Sequence, residues 1–147
     1  MALAGDHVVV KMDDSGGTLR TFDNGDLISV DVPVATDQFD VTGFGDAGHK
    51  VINGQQRTAV TLRGYLTTTA LVGTHTVVQG PFQAGVPVTL KVAVGQNAAP
   101  VTGNPEYSGE FYVESYQPAL ETGKAVTFTA TLKPALGSPA PAWGTMA

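Results

Sequence analysis

Residues 125–134 read AVTFTATLKP, and apolar side chains alternate with threonines along the stretch. The apolar positions are Val126, Phe128, Ala130 and Leu132, and the polar positions are Thr127, Thr129 and Thr131. A period of two places the first set on one face of an extended chain and the second set on the other face. The stretch therefore predicts a β-strand with one buried face and one solvated face.

The same alternation recurs in three further stretches: RTAVTLRGYL (57–66), VPVTLKVAVG (86–95) and YSGEFYVESYQP (107–118). In the last of these, the pattern predicts Tyr112, Glu114 and Tyr116 on one face and Phe111 with Val113 on the other. Shorter extended segments are predicted at 7–12, 27–34 and 36–42. The two strands nearest the C-terminus are expected to pair as an antiparallel hairpin across Glu121–Lys124.

Composition supports a β-rich chain. The 147 residues include 19 Val and 18 Thr, which favour strands, and 27 Gly and Pro, which favour turns. One stretch, 67–80, has apolar residues at helical spacing, with a threonine at 67–69 as a possible cap. We predict a mainly β fold: a β-sandwich or barrel-like domain of about seven or more antiparallel strands with at most one short flanking helix, 67–80.

The sequence shows no internal domain boundary. We predict one β-sandwich domain over residues 1–133 that contains a long glycine-rich loop, 43–56. Residues 134–147 are rich in proline and are expected to form an extended C-terminal arm.

Gly43, Gly45 and Gly48 spell the dinucleotide-binding pattern G-x-G-x-x-G. That motif needs a helix directly after it and an acidic residue about 20 positions further on. A second glycine and a predicted strand follow instead, and residues 47–105 contain no Asp or Glu. The glycines therefore indicate a flexible loop, in which Phe44 either orders on a neighbouring molecule or folds back onto its own core.

No residue pattern in the chain indicates catalysis, and we predict no catalytic, cofactor-binding or metal-binding residues. Cysteine is absent, and His7, His49 and His75 lack metal-ligand spacing. No G-x-S-x-G elbow occurs, and Glu110 and Glu114 fit solvated positions on one strand better than an acid/base pair. Basic residues are few and scattered, which argues against a nucleic-acid groove, and no apolar stretch is long enough to anchor the chain in a membrane.

Charge is unevenly distributed along the chain. Residues 1–46 carry a net charge of −7, residues 47–105 carry +4, and residues 106–147 carry −2. Opposite charge on different faces of one molecule can steer the association of copies, whereas interleaving of the segments in the fold would mix the charges. The sequence alone leaves both possibilities open.

The order of these features resembles the tail tube, or major tail, proteins of long non-contractile-tailed bacteriophages. The residues that carry the resemblance are VVVKMDDSGGTLRTF (8–22), the segment from Leu27 to Leu66 with Thr42, Phe44, Gly45 and Asp46 at its centre, and the closing stretch 107–134. The resemblance implies a virion structural protein and no enzyme. It implies a β-sandwich with a helix at its side that forms hexameric rings, and rings that stack head-to-tail into a tube with a negative lumen through which DNA passes.

The resemblance also implies roles for individual residues. Candidate contacts between subunits or rings are Asp40, Thr42, Phe44, Gly45, Asp46, His49 and Trp143, and candidate lumen-facing residues are Glu110 and Glu114. The expected partners are other copies of the chain, other tail proteins and DNA as non-specific cargo, with no cofactor. The expected location is the virion tail, after assembly in the cytoplasm of the bacterial host.

Two other functions fit the sequence. One is a capsid decoration or other virion surface protein, and the other is a carbohydrate-binding or adhesin-type β module. The second needs exposed aromatic side chains, for which Tyr65, Tyr112 and Tyr116 are candidates.

Overall fold

The computed structural model describes residues 7–22, 25–95, 99–135 and 139–147. In chain order, the elements are β1 (Val8–Asp13), β2 (Leu19–Thr21), β3 (Leu27–Asp31), β4 (Val34–Asp40), β5 (Val51–Thr58), β6 (Val60–Tyr65), α1 (Thr74–Ala84), β7 (Val88–Val94), β8 (Pro105–Ala119), β9 (Thr127–Pro134) and β10 (Ala142–Thr145). The predicted fold class is confirmed, because the described chain is mainly antiparallel β structure with one short helix.

Eight strands form one sheet in the order β2-β1-β7-β8-β9-β6-β3, with β10 beside β8, and every pairing is antiparallel. Strand β8 belongs to both halves of this sheet. Its residues up to Phe111 pair with β7, and its residues from Phe111 onward pair with β9. We call β2, β1, β7, β10 and the first half of β8 the first layer, and the second half of β8 with β9, β6 and β3 the second layer.

The two layers enclose one hydrophobic core. Val10 and Leu90 of the first layer and Leu62 and Leu132 of the second belong to the same cluster of buried side chains. The largest fully buried residues include Tyr107, Phe111, Phe128 and Met12. The apolar set that alternation predicts for β9, which begins with Phe128, is therefore the set that faces this core.

A β-bulge interrupts β8 between Val113 and Ser115. The extra residue reverses the alternation that follows it, so that Tyr116 pairs with Ala130 and faces the core side. The predicted outward orientation of Tyr116 is wrong for this reason. The Tyr116 ring lies 5.8 Å from that of Phe128, and partial burial raises the pKa of its hydroxyl.

The helix begins and ends later than predicted, at Thr74–Ala84 instead of 67–80. Residues before Gly73 are held in a turn, in which the Gly73 N–H donates to the Thr69 carbonyl oxygen at 2.9 Å. The N-cap residue is Gly73 and not a threonine at 67–69, so the predicted cap is wrong. The Thr67 hydroxyl nevertheless accepts a hydrogen bond from the Thr74 N–H at the start of the helix, at 2.9 Å. The helix ends at Gly85, which adopts a left-handed conformation with φ of 67°.

The glycine-rich loop was predicted over 43–56, but it ends earlier in the structure. Strand β5 begins at Val51 and pairs with β4 in a separate two-stranded sheet, so the connection covers only residues 41–50. Gly54 lies within β5 and does not form a turn. A Cβ atom at this position would lie 2.8 Å from the ring of Phe39, so the glycine admits that aromatic side chain.

The end of the predicted C-terminal arm is a strand of the main sheet. Strand β10 pairs with the start of β8, and Trp143 lies opposite Tyr107. Residues 136–138 of the arm lie outside the described residues. The division into a domain over 1–133 and an arm over 134–147 stays a prediction, with β10 as a contact between the two.

Candidate functional site

The hairpin of β4 and β5 is the most exposed part of the described chain. It pairs with no strand of the main sheet, and all but a few of its residues are exposed. Six of the fifteen exposed large apolar residues of the described chain lie within residues 34–52: Val34, Phe39, Val41, Phe44, Val51 and Ile52. Apolar side chains concentrated on one protruding element are a mark of an interaction surface.

The two faces of the hairpin differ in chemistry. Phe39 lies directly opposite Ile52, and both side chains are more than half exposed. On the other face, the amide of Gln38 donates a hydrogen bond to the side-chain oxygen of Asn53 at 3.1 Å. The hairpin therefore presents an exposed apolar pair on one face, whereas the opposite face is mostly polar, with Val51 as an apolar residue beside Asp40.

Hydrogen bonds from side chains fix the base of the loop that joins β4 to β5. The Asp40 carboxylate accepts a hydrogen bond from the Thr42 N–H at 2.8 Å, and the Thr42 hydroxyl accepts one from the Lys50 N–H at 2.9 Å. The Val41 N–H donates to the Lys50 carbonyl oxygen at 2.9 Å, which extends the strand ladder by one step. Two predicted site residues, Asp40 and Thr42, thus act together to order this loop.

A tight turn forms the tip of the loop. The Asp46 N–H donates to the Gly43 carbonyl oxygen at 3.3 Å, and Gly45 has a φ of 86°, the positive value that the third position of a type II turn requires. The Asp46 carboxylate accepts a hydrogen bond from the Gly43 N–H at 2.7 Å and forms an ion pair with Lys50 at 3.1 Å. The turn holds Phe44 away from the protein, with a relative exposure of 112%.

The two loop carboxylates are stabilised in their charged form. The hydroxyl and the backbone N–H of Thr42 lower the pKa of Asp40 below its usual value. The backbone N–H of Gly43 and the ammonium group of Lys50 lower the pKa of Asp46. Both acids are therefore ionised at neutral pH, the state in which they accept the hydrogen bonds that shape the loop.

The structure brings six of the seven predicted contact residues together. Asp40 ends β4, and Thr42, Phe44, Gly45, Asp46 and His49 lie in the loop that follows it. His49 Nδ1 lies 3.9 Å from an Asp40 carboxylate oxygen. Trp143 lies on β10 instead, with its ring 5.3 Å from that of Tyr107. The Tyr107 hydroxyl donates to that of Thr58 at the end of β5 at 3.2 Å, so Trp143 packs near the base of the hairpin.

The two predicted lumen residues lie in different layers. Glu110 is half-buried in the first layer and accepts a hydrogen bond from the hydroxyl of Thr89. Glu114 is exposed on the second layer, at the bulge of β8, and forms an ion pair with Lys133 at 3.0 Å. The bend of β8 separates them, although the simple alternation places them on one face.

Sequence reasoning missed the apolar face of the hairpin. Phe39 and Ile52 are opposite each other only because 51–58 is a strand, and Gly54 in VINGQQRT suggested a turn. Val51 and Ile52 before this glycine favour a strand, and a glycine inside a strand marks a bulge or a close contact. These residues could therefore have predicted a strand instead of a turn. A bulge is indeed present here, between Thr36 and Gln38.

Within the described residues, no group of three or more His, Asp or Glu side chains is arranged to hold a metal ion. No helix in the described part of the chain is long and apolar enough to cross a membrane. The hairpin itself has a tip ordered by hydrogen bonds and an exposed aromatic ring.

No protein-family model and no curated protein matches the sequence. Solved structures do match it over nearly its full length. The tail of an empty gene transfer agent (GTA) particle, refined with C6 symmetry, gives a TM-score of 0.73 at 16% identity, over 99% of this chain and 100% of the other. The SPP1 tail tube gives a TM-score of 0.73 at 11% identity, over 99% and 80% of the two chains.

The chain has the tail-tube fold. A chain of the sheath–tube complex of an extracellular contractile injection system, PVC, is also similar, with a TM-score of 0.66 at 11% identity over 99% and 93% of the two chains. The fold is thus shared by the two tail structures and by a contractile injection system, and the likeness at these identities concerns the fold.

Proposed function

We propose that this chain is a self-assembling structural protein of a bacteriophage tail, with no catalytic activity. Six copies form a ring, and rings stack head-to-tail into a tube through which DNA passes. The observation that carries this proposal is the match of the whole chain to the tail-tube fold. The GTA tail in that comparison was refined with C6 symmetry, which supports the six-fold ring.

The hairpin supports the self-assembly part of the proposal. Its loop is ordered by its own hydrogen bonds and holds an aromatic ring in solvent, which gains the chain nothing as a monomer. A preorganised aromatic side chain is typical of residues that dominate binding energy at protein interfaces. We assign Phe44, with Phe39 and Ile52 beside it, to contacts with a neighbouring copy.

We propose further that the tube belongs to a long non-contractile tail, as the sequence resemblance implies; the lower score of a contractile system supports this. The TM-scores of the GTA tail and the SPP1 tail tube are both 0.73, against 0.66 for the contractile system PVC. The partners are then other copies of the chain, other tail proteins and DNA as passing cargo, and the location is the virion tail after assembly in the bacterial cytoplasm.

Negative-stain electron microscopy of the purified full chain at rising concentration tests the proposal. We expect rings or tubes of constant diameter, and sedimentation velocity should show a shift from monomer to large species. A chain that stays monomeric at the highest attainable concentration would contradict self-assembly. A monomer that instead binds capsids or a glycan array would favour the decoration or carbohydrate-binding functions.

A further inference from the structure

Asn53 is followed directly by Gly54 in the exposed strand β5. Asparagine is a chemically labile residue, and a glycine after it removes the side chain that would hinder attack by the next backbone nitrogen. Asn53 is not among the residues that are assigned above to contacts between copies. The chemistry of this Asn-Gly pair is therefore a separate property of the hairpin.

The ladder between β4 and β5 is interrupted at this pair. Asn53 pairs with Gln38. The next two residues of β5, Gly54 and Gln55, together oppose the single residue Asp37. A bulge of this kind leaves one residue outside the regular pattern of hydrogen bonds between strands. The backbone nitrogen of Gly54 thus lies at the interruption of the hairpin.

The hairpin has little to keep it closed. Its two strands pair only with each other in the described chain, and every residue from Val51 to Arg57 is exposed. The side chain of Asn53 is held in an exposed position by one hydrogen bond, which the Gln38 amide donates to its oxygen at 3.1 Å. A two-stranded hairpin without a buried face is marginally stable, and it opens locally at low cost. In the open form, the Gly54 nitrogen can approach the side-chain carbon of Asn53.

We propose that Asn53 is a site of spontaneous deamidation in the unassembled chain. The Gly54 nitrogen loses its proton to water or hydroxide and forms a bond to the side-chain carbonyl carbon of Asn53. The bond from that carbon to the side-chain nitrogen breaks, the nitrogen takes up a proton and leaves as ammonia, and a succinimide ring remains. Water then opens the ring at either of its carbonyl groups, which gives aspartate or isoaspartate.

Either product places a new negative charge on the hairpin. Residues 47–105 contain no Asp or Glu, so the modified residue is the first acid in this part of the chain. Asp37, which lies at the bulge, already forms an ion pair with Arg57 at 2.7 Å. The added charge makes the net charge of the chain, which is −5, more negative, and it allows modified chains to be separated by anion exchange.

Isoaspartate also changes the backbone, because the side-chain carbon of residue 53 becomes part of the main chain and lengthens β5. Pairing of β5 with β4 then loses its register, including the pair of Phe39 and Ile52. Gly54 fits closely against the Phe39 ring, where a Cβ atom would lie only 2.8 Å away. Displacement of Phe39 removes an assembly contact, so deamidation withdraws aged copies from tube formation. This consequence, unlike the modification itself, rests on the proposed function.

Peptide mapping by mass spectrometry tests the site. The unassembled chain is incubated at mildly alkaline pH, which favours loss of the backbone proton, and is then digested with trypsin. Cleavage after Lys50 and Arg57 gives a peptide whose only asparagine is Asn53, and fragmentation distinguishes it from the two glutamines. Asn104 is the internal control, because the Pro105 that follows it has no N–H. Asn53→Gln is the matched variant, since its longer side chain must close a larger ring.

We expect aspartate and isoaspartate to accumulate at position 53 with time, while Asn104 stays intact and the Asn53→Gln chain loses ammonia from this peptide far more slowly. The other Asn-Gly pair, Asn24–Gly25, lies on a different tryptic peptide and is measured separately. An Asn53 that stays as intact as Asn104 would overturn the inference. Equal loss of ammonia from the Asn53→Gln peptide would overturn it too.

Light scattering of the separated fractions tests the consequence for assembly. Chains with isoaspartate at position 53 should need a severalfold higher concentration to form tubes, whereas Asn53→Asp, which adds the charge without the longer backbone, should stay closer to the parent. The Asn53→Gln chain, aged in parallel, controls for changes elsewhere. Isoaspartate chains that assemble like the parent would contradict the consequence. Failure of the parent to form tubes would refute the proposed function but not the modification, which is measured on the unassembled chain.

Discussion

Thr67 and Thr74 each accept a hydrogen bond from the other's backbone N–H. The Thr74 N–H donates to the Thr67 hydroxyl at 2.9 Å, and the Thr67 N–H donates to the Thr74 hydroxyl at 3.0 Å. The Thr74 hydroxyl in turn donates to the carbonyl oxygen of Tyr65 at 2.7 Å. This reciprocal pair joins the end of β6 to the start of α1, and Thr74 is fully buried.

Replacement of Thr74 by valine should destabilise the unassembled chain. The variant keeps the shape of the side chain but leaves the Thr67 N–H and the Tyr65 carbonyl oxygen without this partner in a buried place, at a cost of about 1–3 kcal/mol. Urea denaturation followed by circular dichroism measures the change. Thr74→Ser, which keeps the hydroxyl, is the control and should lose less, and a valine variant as stable as the parent would refute the role.

Phe44→Ala should weaken assembly without changing the stability of the unassembled chain. The ring is fully exposed, so its removal is expected to change the free energy of unfolding by less than about 0.5 kcal/mol. The concentration at which tubes form, measured by light scattering, should rise at least tenfold, since a buried aromatic anchor contributes about 2 kcal/mol or more. Val101→Ala, at an exposed apolar position outside the hairpin, should leave that concentration unchanged.

The loop should lose its order at acid pH. The pKa of Asp46 lies below its usual value of 3.8, because the Gly43 N–H and then Lys50 favour the charged carboxylate. Its stabilising contribution is therefore complete above pH 3.8 and is lost as the pH falls through the lowered pKa. The Gly43 amide signal in NMR spectra of the unassembled chain should titrate with a midpoint below 3.8. Asp46→Asn should shift that signal already at neutral pH, and a midpoint at or above the usual value would contradict the hydrogen bond.

Gly64→Ala should be strongly destabilising. A Cβ atom at this position would lie 2.9 Å from the Cα of Leu27, and it would also collide with the carbonyl oxygen of Asp26. Both obstacles are backbone atoms of the neighbouring strand and cannot rotate away, so we expect a loss of about 1–3 kcal/mol. Thermal unfolding of the unassembled chain measures this loss, and Gly144→Ala, where a Cβ atom meets nothing within 4 Å, is the control.

Leu71→Asn should stabilise the chain. Leu71 has a φ of 72°, a left-handed conformation that costs an ordinary L-residue about 1–2 kcal/mol, and its side chain is largely exposed. Asparagine tolerates this conformation, so the melting temperature should rise by about 2–4 °C. The control is Leu120→Asn, at another exposed leucine, which should not raise the melting temperature.

The strands that pack in the core were predictable from the sequence. In β6, β7 and β9, one face packs in the core and the other faces solvent. Buried apolar residues such as Leu62 and Leu90 therefore alternate with polar ones, and this alternation predicts the strands. The same signal fails in β4 and β5, which have no buried face. The predicted face of Tyr116 was wrong because of the bulge in β8. The position of that bulge depends on how β8 pairs with β9, which the local sequence does not show.

The candidate site was predictable in part. Glycines flanking Phe44 indicated a flexible loop and left open whether its ring projects or folds back onto the core. The structure shows a tight turn that exposes the ring. The roles of Thr42 and Lys50 depend on pairing between residues eight positions apart, which follows from the hairpin register. The separation of Glu110 from Glu114 depends on the passage of β8 from one layer to the other.

Strand β8 also has a mechanical consequence. Its fifteen residues form one strand that passes from the first layer into the second, with a bulge between Val113 and Ser115. Separation of the two layers therefore requires β8 to lose its pairing with β7 or with β9, because one strand serves both layers. The two layers of one subunit are thus tied together by the chain itself as well as by the packing of their core.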